Sequence, residues 1–240
     1  MPTQPTVAAI AFDLDGTLVD SAPDIGRALN QALSQEGLLR FDLPTVRAWI
    51  GDGPDLLIAR ALAEQGLAPD DNSPRMAALR ATLRRGFDAA TLAAPLADGK
   101  VYAGIIELLE GLRWVLPMVV VTNKPTPLAR AVLDAAGILP YLKAVRGADS
   151  AQQRKPAPSL LLESARALGV VPAQLLMVGD GPADLLAAEA AGCPAALVAW
   201  GYGGHAIPAH LRPRHIATPQ QLLSELHIEL QHGSEPIINT

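Results

Sequence analysis

The chain is expected to be an α/β protein: a doubly wound, Rossmann-like parallel sheet with a small helical domain inserted after its first strand. Three observations predict this. Short apolar runs of strand length recur along the sequence, amphipathic helical stripes lie between them, and one interval is too long for a single crossover. Strands that alternate with helices build a parallel sheet covered on both faces.

Four runs read as buried strands: Val7–Leu14, Val115–Thr122, Leu175–Val178 and Ala195–Ala199. Each is bounded by Gly, Pro, Asn or Asp. Ala144–Arg146 is a shorter fifth candidate. Helical stripes follow at i, i+3, i+4 spacing. Ile105, Leu108, Leu109 and Leu112 form one; Leu128, Val132 and Leu133 form another, before Gly137; Leu161, Ala165 and Leu168 form a third, before Gly169. Those two glycines stand where a helix C-cap belongs.

The first strand ends near Asp15 and the next clear one starts near Val115, a gap of about a hundred residues, whereas a crossover unit needs only about 30. The interval reads as helical: a stripe of Ile25, Ala28, Leu29, Ala32 and Leu33, a second helix over Leu56–Ala63, and a third carrying Met76, Leu79, Leu83 and Phe87. The expected organisation is therefore a core of residues 1–18 and 98–240, with residues 19–97 as the inserted domain. His227–Thr240 reads as a polar, loosely attached tail.

Composition removes several classes of function. Half of the 240 residues are hydrophobic, which excludes a disordered or collagen-like chain. Nineteen Lys and Arg against 24 Asp and Glu give a net charge of −5, so no nucleic-acid partner is expected. A single cysteine, Cys193, excludes a disulfide framework and a cysteine-rich zinc site. No uninterrupted apolar stretch reaches membrane-spanning length, and Met1–Thr6 lacks a secretory pattern. A cytoplasmic monomer or homodimer without membrane partners is expected.

The chemistry concentrates at strand ends. Asp13-Leu14-Asp15-Gly16-Thr17 closes the first strand; carboxylates two residues apart on extended chain lean the same way, and Gly16 permits a sharp turn. Thr122-Asn123-Lys124 closes the second. Lys155 follows the short fifth candidate, and Gly179-Asp180-Gly181-Pro182-Ala183-Asp184 follows Leu175–Val178. Each segment alone fits an ordinary turn or helix cap. Together they do not, because the chain has only four lysines and two of them fall here. Ligands in such sheets gather beyond the carboxyl ends of the strands. Four clustered aspartates repel one another, and a hard divalent cation such as Mg²⁺ relieves that repulsion. With Thr and Lys donors beside it, the site suits phosphoryl transfer: one Asp can attack phosphorus, and a second can move the proton.

In this order, Asp13-x-Asp15-Gly16-Thr17, Thr122-Asn123-Lys124, Lys155-Pro156 and Gly179-Asp180-x-x-x-Asp184 resemble the haloacid dehalogenase superfamily, and the insertion sits where that family carries its cap. Leu18-Val19-Asp20-Ser21, Trp49-Ile50-Gly51, Val121-Thr122-Asn123-Lys124-Pro125 and Trp200-Gly201-Tyr202 look like its phosphoglycolate phosphatase group. Gly181, often Ser in that group, and Lys100-Val101-Tyr102 depart from the pattern without removing a catalytic group. The resemblance implies a Mg²⁺-dependent phosphatase with Asp13 as nucleophile and metal ligand. Asp15 would be the acid/base, its carbonyl also on the metal. Thr122 and Asn123 would meet the phosphoryl oxygens, Lys155 would balance the charge, and Asp180 and Asp184 would complete the metal site. Thr17 is a further phosphate-binding candidate.

The cap should select the substrate, a small phosphorylated metabolite. Gly51-Asp52-Gly53 is the loop expected to approach it, and Arg47, Arg60 and Arg84 are candidates for a substrate carboxylate. The implied reaction is hydrolysis of 2-phosphoglycolate to glycolate and phosphate. Alternatives are a sugar-phosphate phosphatase, for example for N-acetylmuramate 6-phosphate, a phosphoglucomutase-like enzyme, or a receiver-type signalling module. The five histidines, all between His205 and His232, have neither helical nor strand spacing and are not expected to bind metal. Cys193 reads as a small buried hydrophobe.

Overall fold

The computed structural model describes residues 6–67, 73–203 and 207–233. In chain order, β1 (Ala9–Phe12) and β2 (Val19–Asp20) precede four helices: α1 (Ala22–Gln35), α2 (Leu43–Trp49), α3 (Pro54–Ala63) and α4 (Pro74–Ala93). After β3 (Lys100–Val101) the chain alternates: α5 (Ile105–Leu112), β4 (Met118–Thr122), α6 (Thr126–Ala135), β5 (Ala144–Gly147), α7 (Ser159–Leu168), β6 (Leu175–Gly179), α8 (Pro182–Ala191), β7 (Ala195–Val198), β8 (Arg214–Ile216) and α9 (Pro219–Gly233).

Six of the strands form one parallel sheet in the order β5-β4-β1-β6-β7-β8. β1 is central, with Phe12 opposite Val120 on one side and Val178 on the other. Its four residues are all buried, as a strand covered on both faces must be. Alternate side chains part to opposite layers. Ile10 and Phe12 join Ile105, Leu109, Leu222 and Leu226, whereas Ala9 and Ala11 join Leu161, Met177 and Ala187. The sheet runs outward from β1 in both directions, so residue 13 leaves it at the switch point where clefts form.

The helices α1–α4 bury a separate apolar cluster that includes Ile25, Leu29, Leu33, Val46, Leu57, Ile58, Leu83 and Phe87, with Leu128 of α6 beneath it. Side-chain caps start two of them: Asp42 accepts from Thr45 N–H at 3.0 Å, and Ser73 Oγ accepts from Met76 N–H at 3.2 Å. No helix among the described residues is long and apolar enough to cross a membrane.

Four features differ from the sequence expectation. β8 forms a sixth parallel strand: only three residues long, at the sheet edge, it has too little apolar pattern to stand out. β2 and β3 pair antiparallel, Val19 with Val101, at the entrance and exit of the helical insertion; the expected boundary at residue 19 falls on the first residue of β2. α2, seven residues with Pro44 in its first turn, carries no repeating stripe. The expected loose tail begins inside α9, whose Leu222 and Leu226 are fully buried; residues 234–240 lie outside the described residues, as does His205.

Candidate active site

Asp13 follows β1 directly, and its N–H donates to Val178 O at 2.9 Å, so the loop leaves in register with β6. Gly16 turns the chain at φ 85°; a Cβ there would lie 2.4 Å from Asp180 Oδ2, so no larger residue fits. Asp180 and Asp184 bracket the start of α8, and Lys155 comes from the segment before α7. These segments, remote in sequence, meet in one buried cluster.

Lys155 Nζ lies 2.9 Å from Asp13 Oδ1 and 2.6 Å from Asp184 Oδ1, and it also donates to Val121 O at 2.9 Å. Carboxylate oxygens of Asp13, Asp180 and Asp184 lie within 4.8 Å of one another. Three carboxylates therefore share one ammonium, and two negative charges are uncompensated. Burial pushes the Asp13 carboxyl up to about 6 against the opposing pull of Lys155, with Asp184 and Asp15 adding to the rise. Burial, then Asp184 and Asp13, raise Asp180 to about 7. Burial alone would lower Lys155, but Asp13 and Asp184 outweigh it and hold the ammonium firmly charged. Asp13 Oδ1, although close to that ammonium, is off the hydrogen-bond direction and has no hydrogen-bond partner.

This donor set fits a divalent cation. It is all oxygen, buried and over-charged, with one carboxylate oxygen left without a hydrogen bond. It is also the one His/Cys/Asp/Glu grouping among the described residues with metal-binding spacing. His210 instead pairs with Glu189 at the surface, and burial holds the Cys193 thiol up at about 11.

The remaining expected residues are placed as follows. The Asp15 carboxylate is not in the trio; it accepts from Lys124 Nζ at 2.9 Å through each oxygen, and from Ser21 Oγ. Thr17 Oγ1 donates to Asp180 Oδ1 at 3.3 Å, which aims this candidate phosphate ligand at the acidic trio. Thr122 Oγ1 accepts from Lys124 N–H at 3.3 Å. The Asn123 side chain is fully engaged, donating to Gly51 O at 2.8 Å and Lys155 O at 3.1 Å and accepting from Lys155 N–H at 2.7 Å. It ties the helical insertion to the core.

Gly51 and Gly53 do reach the site. With Asp13, Asp15, Thr122, Asn123 and Lys124 below, they line a pocket roofed by Ile25, Ile50, Pro54, Leu57 and Phe87. Asp52 faces the adjoining cleft and holds Arg60, which also donates to Trp49 O at 2.6 Å. Of the other candidate arginines, Arg47 pairs with Asp20 at 3.1 Å, and Arg84 binds Asp55 at 2.5 Å and Asp88 at 2.8 Å away from both cavities.

Two contributors had no role assigned to them from the sequence. Lys124 is one; its place among four lysines, at a strand end, was the available signal. The other is the loop after β7, where Trp200 Nε1 donates to Thr17 O at 3.0 Å and the N–H groups of Tyr202 and Gly203 donate to Asp180 Oδ2 at 2.6 and 3.2 Å.

The chain's similarities agree with this geometry. Residues 7–192 match the family model for haloacid dehalogenase-like hydrolases. The phosphoglycolate phosphatase of Rhodospirillum rubrum is 42% identical over 81% of this chain and 80% of its own length. That of Cereibacter sphaeroides is 42% identical over 86% and 90%. A crystal structure described as a predicted phosphoglycolate phosphatase from Haemophilus somnus superposes with a TM-score of 0.82 at 30% identity, covering 94% of this chain and 99% of that one.

Proposed function

The chain belongs to the haloacid dehalogenase-like hydrolases and is a phosphatase, and on that footing we propose that it hydrolyses 2-phosphoglycolate to glycolate and inorganic phosphate. The observation that carries the chemistry is the buried Asp13 carboxylate at the end of the central strand, held against Lys155 and beside Asp180 and Asp184. Asp13 attacks phosphorus; the phosphorus–ester oxygen bond breaks, and an aspartyl-phosphate forms. Asp15 gives its proton to the departing oxygen, then takes one from the water that attacks the phosphoryl group and restores Asp13. Lys155 keeps the nucleophile anionic and in place, and the Thr122 hydroxyl has a hydrogen to give to a phosphoryl oxygen.

Asp13, Asp180 and Asp184, with the Asp15 carbonyl, are the residues that would hold Mg²⁺. When bound, that ion would neutralise charge on the phosphoryl oxygens. The helices α1–α4 serve as the cap, closing over the site through Gly51 and Gly53.

The roof supports a small acidic substrate. Ile25, Ile50, Pro54, Leu57 and Phe87 offer a sugar ring no side-chain hydrogen bonds, and desolvated hydroxyls without partners are costly. A two-carbon acid presents little beyond its two anionic ends. Steady-state kcat/KM across a panel of phosphate esters tests the reading. 2-Phosphoglycolate should rank first, and a preference for hexose or amino-sugar 6-phosphates would overturn the substrate assignment.

A further inference from the structure

We infer that Lys124 is the anchor for the substrate's carboxylate, a role that rests on the phosphorylated-acid reading above. Several cations lie in or around the site. Lys155 donates to Asp184 and Val121 O and lies 2.9 Å from Asp13 Oδ1, so its charge is spent on the acidic trio. Arg47, Arg60 and Arg84 are paired with Asp20, Asp52, and Asp55 with Asp88. Among the described residues, Lys124 is the one lysine or arginine that lines the pocket itself. Its side chain is 5% exposed, and it stands between the polar floor and the apolar roof.

The ammonium of Lys124 carries three donors. Two meet the oxygens of Asp15, each at 2.9 Å, and the third is left for the pocket. Asp15 must touch the ester oxygen to protonate it, so that oxygen comes to rest one hydrogen bond from the residue Lys124 grips. In 2-phosphoglycolate a single methylene separates the ester oxygen from the carboxylate carbon. The carboxylate therefore falls within reach of the same ammonium. Ile25, Leu57 and Phe87 exclude water around it, which strengthens a charge-assisted hydrogen bond. The geometry also sets a length rule: moving the carboxylate away from the ester oxygen takes it off Lys124 and into the apolar roof.

The test compares two substrates on two proteins. For wild type and Lys124→Met, kcat/KM is measured with 2-phosphoglycolate and with ethyl phosphate, which keeps the two-carbon chain but lacks the carboxylate. Loss of one charge-assisted contact should lower the ratio of the two values by about tenfold or more in the variant. The ratio is insensitive to any common loss caused by disturbing Asp15. A ratio within about twofold of wild type would overturn the assignment, whatever the absolute rates. The readings separate cleanly. If wild type itself shows no preference for 2-phosphoglycolate over ethyl phosphate, the substrate reading fails; if the preference exists and survives in the variant, only the role of Lys124 fails. Should Lys124→Met not fold, Lys124→Gln, which can still bond Asp15, carries the same comparison. A readout without turnover is calorimetric binding of 2-phosphoglycolate to Asp13→Asn, which should weaken about tenfold when Lys124→Met is added. Unchanged affinity would likewise overturn the inference.

Discussion

The floor of the pocket and its roof stabilise themselves in opposite ways. On the sheet side, Asp13, Asp180, Asp184 and Lys155 are all at most 8% exposed, and they crowd more negative charge together than their one ammonium balances. On the helical side, Ile25, Leu57 and Phe87 pack into an ordinary apolar cluster and gain from burial what any core residue gains. The floor is thus poised for a cationic partner and a phosphoryl group at a cost to the unliganded fold, whereas the roof costs nothing and selects by shape and by withholding hydrogen bonds. A chemical lesion in the floor should destroy rate and spare or raise stability; a lesion at the roof or its attachment should change binding and stability more than chemistry.

The largest expected effect is at Asp13. Asp13→Asn removes the attacking oxygen and should lower kcat by about 10³-fold or more, measured as phosphate release. It also removes one of the repelling charges, so the melting temperature should hold or rise. Retention of more than about a tenth of the rate would contradict the nucleophile assignment.

Next comes metal removal. Chelation should abolish turnover, with recovery on adding Mg²⁺. Because the ion would bind the folded floor and not the unfolded chain, saturating Mg²⁺ at about a hundred times its dissociation constant should add about 2.7 kcal/mol of stability. That gain should shrink in Asp180→Asn, while substitutions in the roof should leave it intact. Undiminished hydrolysis without metal, or an equal gain in Asp180→Asn, would break the contrast between the two surfaces.

The roof is tested at Gly53. Its φ of 84° disfavours any side chain, and a Cβ there would lie 2.8 Å from Asn123 O. Gly53→Ala should cost about 1–3 kcal/mol of strain, relieved by lifting the loop from the core. KM for 2-phosphoglycolate should rise more than kcat falls. A pure kcat loss would mean that the loop takes part in the chemistry and does not merely close over it.

The two surfaces were also unequally legible in the sequence. Asp13, Asp180 and Asp184 follow an apolar strand within five positions, and Lys155 stands eight residues past the short β5, so strand pattern brought all four to one sheet edge. Pairings across long separations were not legible: Asp15 and Lys124 are 109 residues apart, and nothing local marks them as partners. The roof's helices α1, α3 and α4 were visible as stripes, but the engagement of Arg47, Arg60 and Arg84 was not, because Asp20, Asp52, Asp55 and Asp88 compete for the guanidinium groups and only tertiary geometry decides among them. Short elements escaped for a simpler reason. β2, β3 and β8, two or three residues each, exist through their neighbours' hydrogen bonds and not through any pattern of their own.

The smallest effect lies where the two halves join. Asp24, in the first turn of α1, accepts from the N–H groups of Ala97, Asp98 and Gly99 at 2.9, 3.1 and 2.7 Å and binds Arg27 at 2.7 Å. It thereby clamps the start of the helical insertion to its return segment. Burial pushes its carboxyl upward, but Arg27 and those three N–H groups together hold it below the ordinary 3.8. The unfolded chain therefore takes up this proton first on acidification. The stabilisation is complete above pH 3.8 and is lost as pH falls through and below that value. Asp24→Asn keeps one acceptor but turns an NH₂ toward donors, and should cost about 1–3 kcal/mol at pH 7. In urea titrations the gap between variant and wild type should narrow steadily toward pH 3, with kcat at pH 7 changed less than by any floor substitution. A gap that stays constant with pH would show that the carboxylate's charge contributes nothing to the joint, and that backbone packing alone holds the insertion in place.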